Sequence, residues 1–172
     1  MGVVYALEGP GCADLAVKFV HPGADCPQAA QVQLACEAAL ELHLQGLESV
    51  VQTLEYGVGA MGQGYKVMRQ VYGHPLCMPI CPSLQGPILA AVTAVHARGI
   101  VHGDLKPSNI ILSDQRRIVL IDFGLGRFLN EAQPRQGMQA AYTPRYASAR
   151  VLSGCLPEIE DDLYSVERIF RV

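Results

Sequence analysis

His102-Gly103-Asp104-Leu105-Lys106-Pro107-Ser108-Asn109, followed by Asp122-Phe123-Gly124, decides how this chain is read. The first stretch sets an aspartate, a lysine and an asparagine close together. The second adds another aspartate in a glycine-containing turn. A carboxylate to orient a hydroxyl, a cation to meet a moving phosphate and two oxygen ligands suited to Mg²⁺ are the groups that phosphoryl transfer requires. A capped surface bend would account for Asp-Leu-Lys-Pro-Ser-Asn alone. It would not account for the Asp-Phe-Gly turn beyond two short β-like runs.

Working outward, those runs are Ile110–Leu112 and Ile118–Ile121, on either side of a polar Ser-Asp-Gln-Arg-Arg turn. Upstream, apolar spacing from Leu84 to Arg98 is helical and Gly99 ends it. Further back, Val3–Leu7 and Leu15–Val20 read as strands. Gln28–Leu47 reads as a helix, with Ala30, Leu34, Ala38 and Leu42 on one face after Pro27. Val50–Tyr56 and Tyr65–Val71 read as strands around a glycine-rich turn. Downstream, Phe128–Tyr142 has no period and reads as a long loop. Glu160–Val172 starts acidic and turns apolar, as a helix start does. Strands with one helix precede a mostly helical half, an α+β order in two unequal lobes, 1–72 and 73–172.

At 172 residues and 50% hydrophobic, the chain can bury a core. A net charge of −3, with no basic run, argues against nucleic acid or an anionic membrane as the main partner. Six scattered cysteines complete no zinc pattern and read as free thiols in a reducing compartment, cytoplasmic or nuclear. The apolar stretch Ile88–Val101 is broken by His96, Arg98 and Gly99 and is too short to span a bilayer. The N-terminus shows no signal peptide.

The quoted motifs resemble the catalytic loop and metal-binding turn of eukaryotic-type Ser/Thr protein kinases. Ala16-Val17-Lys18 resembles the strand whose lysine holds the ATP phosphates. Glu37, on the expected helix, would pair with Lys18; Glu41, one turn on, is its rival. The resemblance implies that Asp104 orients the substrate hydroxyl, that Lys106 neutralises the transferring phosphoryl group and that Asn109 and Asp122 hold Mg²⁺. It places ATP between Val4, Ala16, Met68, Val71 and Ile111, with the hinge at Met68–Gly73. Lys106 implies Ser/Thr rather than Tyr specificity. Thr143-Pro144-Arg145-Tyr146-Ala147-Ser148 resembles the end of an activation segment, most like the casein kinase 1 family. Asp161-Asp162-Leu163-Tyr164-Ser165 resembles the start of the large buried helix that follows, with Asp162 accepting backbone N–H groups of the catalytic loop.

The chain also departs from that family. Gly2-Val3-Val4-Tyr5-Ala6 matches only the last glycine of the glycine-rich loop and the Val-Tyr after it, which implies weaker nucleotide binding. Gly103 stands where most members have an arginine that reads an activation-loop phosphate. Ser148-Ala149-Arg150 replaces Ala-Pro-Glu. The chain ends at Val172, two or three turns into the last helix, so Leu163, Val166, Ile169 and Phe170 are expected as an exposed stripe. Two readings follow. One is a minimal protein kinase acting with Mg-ATP on a protein substrate. The other is a weak or inactive decoy that pairs with a partner kinase, or with a second copy, through the exposed stripe. A small-molecule kinase is a third, against which Tyr142-Thr143-Pro144-Arg145-Tyr146 argues.

Overall fold

The computed structural model describes residues 2–20, 26–131 and 142–171. Four antiparallel strands come first: β1 (Gly2–Ala6), β2 (Leu15–Val20), β3 (Thr53–Val58) and β4 (Gly64–Arg69). They lie in the order β1-β2-β4-β3. Helix α1 (Pro27–His43) connects β2 to β3. Beyond β4, β5 (Gly73–Pro75) pairs with β7 (Ile110–Ser113), which pairs with β8 (Ile118–Leu120). A two-stranded ribbon joins β6 (Ile100–Val101) to β9 (Arg127–Phe128). The helices α2 (Gln85–His96), α3 (Ala149–Leu152) and α4 (Ile159–Phe170), with short 3-10 turns at Pro82–Leu84 and Pro107–Asn109, complete the described elements.

Local chemistry explains most boundaries. Pro27 opens α1, where its missing N–H costs nothing. The helix stops at His43 rather than Leu47, because the chain turns through Gly46 at φ 87°. Leu42 is exposed, contrary to expectation, and Leu40 is buried instead. By Leu42 the 3.6-residue period has turned past the buried face, and the inward positions go to Glu37, Ala38 and Glu41. The third strand starts at Thr53, not Val50. Val50 and Val51 leave the first sheet to join Leu120: Val51 N–H donates to Leu120 O at 3.0 Å, and Leu120 N–H to Ser49 O at 2.8 Å. These bonds stitch the first sheet's connection to β8.

The core is continuous from β2 and α1 through α2, β7 and β8 to α4. α4 begins with a capping box in which Glu158 and Asp161 exchange side-chain and backbone bonds. The expected exposed stripe on α4 is corrected by the packing. Val166 and Ile169 are buried, Phe170 packs partly on the core, and only Leu163 lies in the open. α2 packs on α4, so most of the face expected to meet a decoy partner or a second copy is covered within the chain. Burying the two side chains contributes roughly 1.5–3 kcal/mol each.

Most of the expected long loop, 132–141, lies outside the described residues. All six cysteines are free thiols. Among the described residues no helix is long and apolar enough to cross a membrane.

Candidate active site

Alternation along β2 turns Ala16 and Lys18 to the same side of the sheet, the side on which α1 packs. Lys18 Nζ lies 2.7 Å from each carboxylate oxygen of Glu37 and 3.1 Å from Asp122 Oδ1. Of the two rival glutamates, Glu37 takes Lys18. Glu41 is fully buried and is held by Lys66 of β4 and Thr53 of β3. Burial works to lower the Lys18 pKa, but the charges of Glu37 and Asp122 outweigh it, and the ammonium is held firmly protonated. Burial likewise pushes Asp122 up. The charge and hydrogen bond of Lys18, helped by His102 and Lys66, hold its carboxyl below the usual range. Asp122 sits at φ 64°, a left-handed conformation that costs a non-glycine residue about 1–2 kcal/mol. That turn aims its side chain at Lys18.

The loop after β6 carries the second cluster. Lys106 Nζ bonds Asp104 Oδ2 and donates to Thr143 Oγ1 at 3.0 Å. Thr143 N–H lies 3.4 Å from Asp104 Oδ1. Asn109 Nδ2 donates to Asp104 O at 2.9 Å, and Asn109 O accepts Ile121 N–H at 3.0 Å. The asparagine thus joins the loop to the residue just before Asp122.

The loop is anchored from below. His102 N–H and Gly103 N–H donate to the Asp162 carboxylate at 2.8 and 2.9 Å, as expected of this aspartate. His96 of α2 bonds the same carboxylate at 2.9 Å. The His102 ring rests on Phe123 at 4.5 Å and meets Ile121 O at 3.0 Å. Arg150, which replaces an expected acid, pairs with Asp161 and lies 3.5 Å from Glu158, both at the start of α4.

Both clusters open on one cleft of about 1030 Å³. Val4, Ala16, Met68, Val71 and Ile111 line it, as do Lys18, Glu37, Asp104, Lys106 and Asp122. Apolar walls meeting a charged end suit a ligand with a flat ring and an anionic tail. Asn109 is not on the cleft wall and is nearly buried. An amide oxygen and a half-exposed carboxylate are hard donors of the kind Mg²⁺ takes alongside water and phosphate oxygens, so the residues present fit that ion.

The sequence pattern of the protein kinase domain family matches residues 76–170. This chain belongs to the protein kinase family. Its mixed sheets and helices are those of a partial protein kinase fold. The chain is similar to the serine/threonine-protein kinase PknK of Mycobacterium tuberculosis, with 29% identity over 175 residues, covering 96% of this chain and 16% of that protein. It is similar to the serine/threonine-protein kinase ppk34 of Schizosaccharomyces pombe, with 28% identity over 115 residues, 66% of this chain and 31% of that protein. The carbon catabolite-derepressing protein kinase of Candida tropicalis shares 38% identity over 76 residues, 42% of this chain and 12% of that protein. The chain therefore spans less than a third of the length of each of these relatives.

Two residues of the candidate site are not evident from the sequence alone. Thr143 belongs by sequence to the segment ending at Ser148, and nothing local marks it as a partner of Lys106. Lys66 reads by sequence as an ordinary strand residue. Alternation signalled it: Lys66 shares a face with Met68 and stands in register opposite Lys18.

Proposed function

We propose that the chain transfers the γ-phosphoryl group of Mg-ATP to a serine or threonine hydroxyl of a protein substrate. The observation that carries this reading is the meeting of two clusters on one cleft: Lys18–Glu37–Asp122 and Asp104–Lys106–Thr143. Bound Mg-ATP supplies the electrophilic phosphorus and a divalent charge. Val4, Ala16, Met68, Val71 and Ile111 enclose the base. Lys18, steadied by Glu37, meets the phosphates, and Asn109 and Asp122 hold the metal. Asp104 orients the incoming hydroxyl and takes its proton. Lys106 neutralises charge on the phosphoryl group in transit, and Thr143 holds that ammonium in place. The segment ending at Ser148 sets the proposal nearest the casein kinase 1 type. The division at 72/73, with nucleotide between the two parts, belongs to the same reading.

Asp104→Asn tests it. With radiolabelled ATP and a mixed serine/threonine peptide substrate, transfer falls by about 10²–10⁴-fold while ATP affinity stays. Wild-type transfer in the variant, or none in the wild type at any metal concentration, overturns the reading.

A further inference from the structure

Lys66 is a lysine with its side chain 1% exposed, and the proposed chemistry does not use it. Its Nζ lies 2.6 Å from Glu37 Oε1 and 2.5 Å from Glu41 Oε2. The two glutamates are one turn apart on the same face of α1. Glu37 Oε1 also receives Lys18, so two lysines from adjacent, register-paired strands meet at one oxygen. On the other flank Thr53 of β3 donates to Glu41. Three strands therefore hold one helix through two carboxylates.

We propose that Lys66 is a positioning residue for the nucleotide site: by clamping Glu37 and Glu41 it fixes the rotation and height of α1, and keeps Glu37 aimed at Lys18 before any nucleotide arrives. The role of the site rests on the kinase reading above; the clamp itself does not.

The geometry favours this over simple charge neutralisation. A lysine present only to neutralise Glu41 has no need of Glu37, yet Lys66 approaches both about equally. A helix held by one ion pair can pivot about it. A second tie one turn along removes the pivot. Apolar contacts alone let a helix slide by exchanging one neighbour for another. Here a slide strips partners from an ammonium with no access to water, which is strongly unfavourable. Glu37 in turn meets Lys18 with both oxygens at 2.7 Å, the geometry of a carboxylate held square to its partner.

The test compares the full chain with Lys66→Met/Glu41→Leu, which removes the cation and its second acid together. Replacing a buried ion pair by apolar residues of similar volume leaves stability near its original value. Two readouts need no nucleotide: hydrogen exchange of the backbone amides in α1, and the rate at which acetic anhydride acylates Lys18, followed by mass spectrometry. The proposal expects wild-type α1 to be equally protected with and without Mg-ATP. In the double variant it expects faster α1 exchange and roughly tenfold faster Lys18 acylation, the change that 1.4 kcal/mol makes in an equilibrium.

Wild-type exchange and acylation in a double variant that melts like the wild type would show that Lys66 only neutralises charge, and would overturn the proposal. So would wild-type α1 amides that become strongly protected only when Mg-ATP is added. Should the double variant fail to fold, Glu41→Gln keeps the volume and, compared above neutral pH, leaves Lys66 one carboxylate; exchange and Lys18 acylation must then rise in it, and their failure to do so is equally fatal. If the wild type binds no Mg-ATP, the kinase reading falls, while apo exchange and acylation still decide the role of Lys66.

Discussion

Gly103 donates its backbone N–H to Asp162 at 2.9 Å from a left-handed conformation, φ 80°. The two facts are linked. The turn at Gly103 swings its N–H and that of His102 toward the same buried carboxylate. A Cβ at this position would stand 2.5 Å from Leu125 O and 3.2 Å from Pro157. Gly103→Ala therefore meets both strain and a backbone clash, and should cost about 1–3 kcal/mol. Urea unfolding is the measurement. A midpoint equal to wild type would show that the loop relaxes without penalty.

Asp122→Asn keeps the shape of the turn and removes a charge from a site proposed to hold Mg²⁺. Calorimetry should show that Mg²⁺ strengthens ATP binding to the wild type and has little effect on the variant. Equal affinities for ATP with and without metal in the wild type would remove Asp122 from the metal site.

Glu41 carries a pH signature. Burial, with Glu37 adding repulsion, pushes its carboxyl from 4.5 up to about 7, against the pull of Lys66 and Thr53. The folded chain then keeps a proton that the unfolded chain has already lost. Stability from this group falls as pH rises from 4.5 to about 7, and is level above that. Melting curves of the wild type and Glu41→Gln across that window should converge on the acid side and differ increasingly toward neutral pH. Parallel curves would mean Lys66 keeps Glu41 ionised throughout.

The burial of α4 makes a contrast between neighbours on one helix. Ile169→Ala, at a fully buried position, should cost about 2–5 kcal/mol. Leu163→Ser, at a position 37% exposed, should stay within about 0.5 kcal/mol. Thermal unfolding of the two variants tests which face of the helix is covered. Equal losses would place Leu163 in a contact beyond the described chain.

Asp104, Lys106 and Asn109 were legible because they belong to one loop. Nearness along the chain became nearness in space, through the bonds of Lys106 and Asn109 to Asp104. Asp122 was legible for a related reason: β7 and β8 form a short hairpin whose return places it beside that loop. The family resemblance also implies that Lys18 pairs with a glutamate of α1. Period alone could not choose between Glu37 and Glu41, which differ by one turn. In the fold Glu37 meets Lys18, while Glu41 meets Lys66 and Thr53 from later strands.

Thr143 shows the same limit at longer range, since 37 residues separate it from the ammonium it binds. The stripe on α4 was correctly seen as apolar, but its cover comes from α2, much earlier in the chain. Composition and spacing thus determined which chemical groups this protein has and which face of each element carries them. Tertiary structure decided what each face meets, because a side chain's partner is chosen by the packing of segments remote in sequence, and no local period encodes where they come to rest.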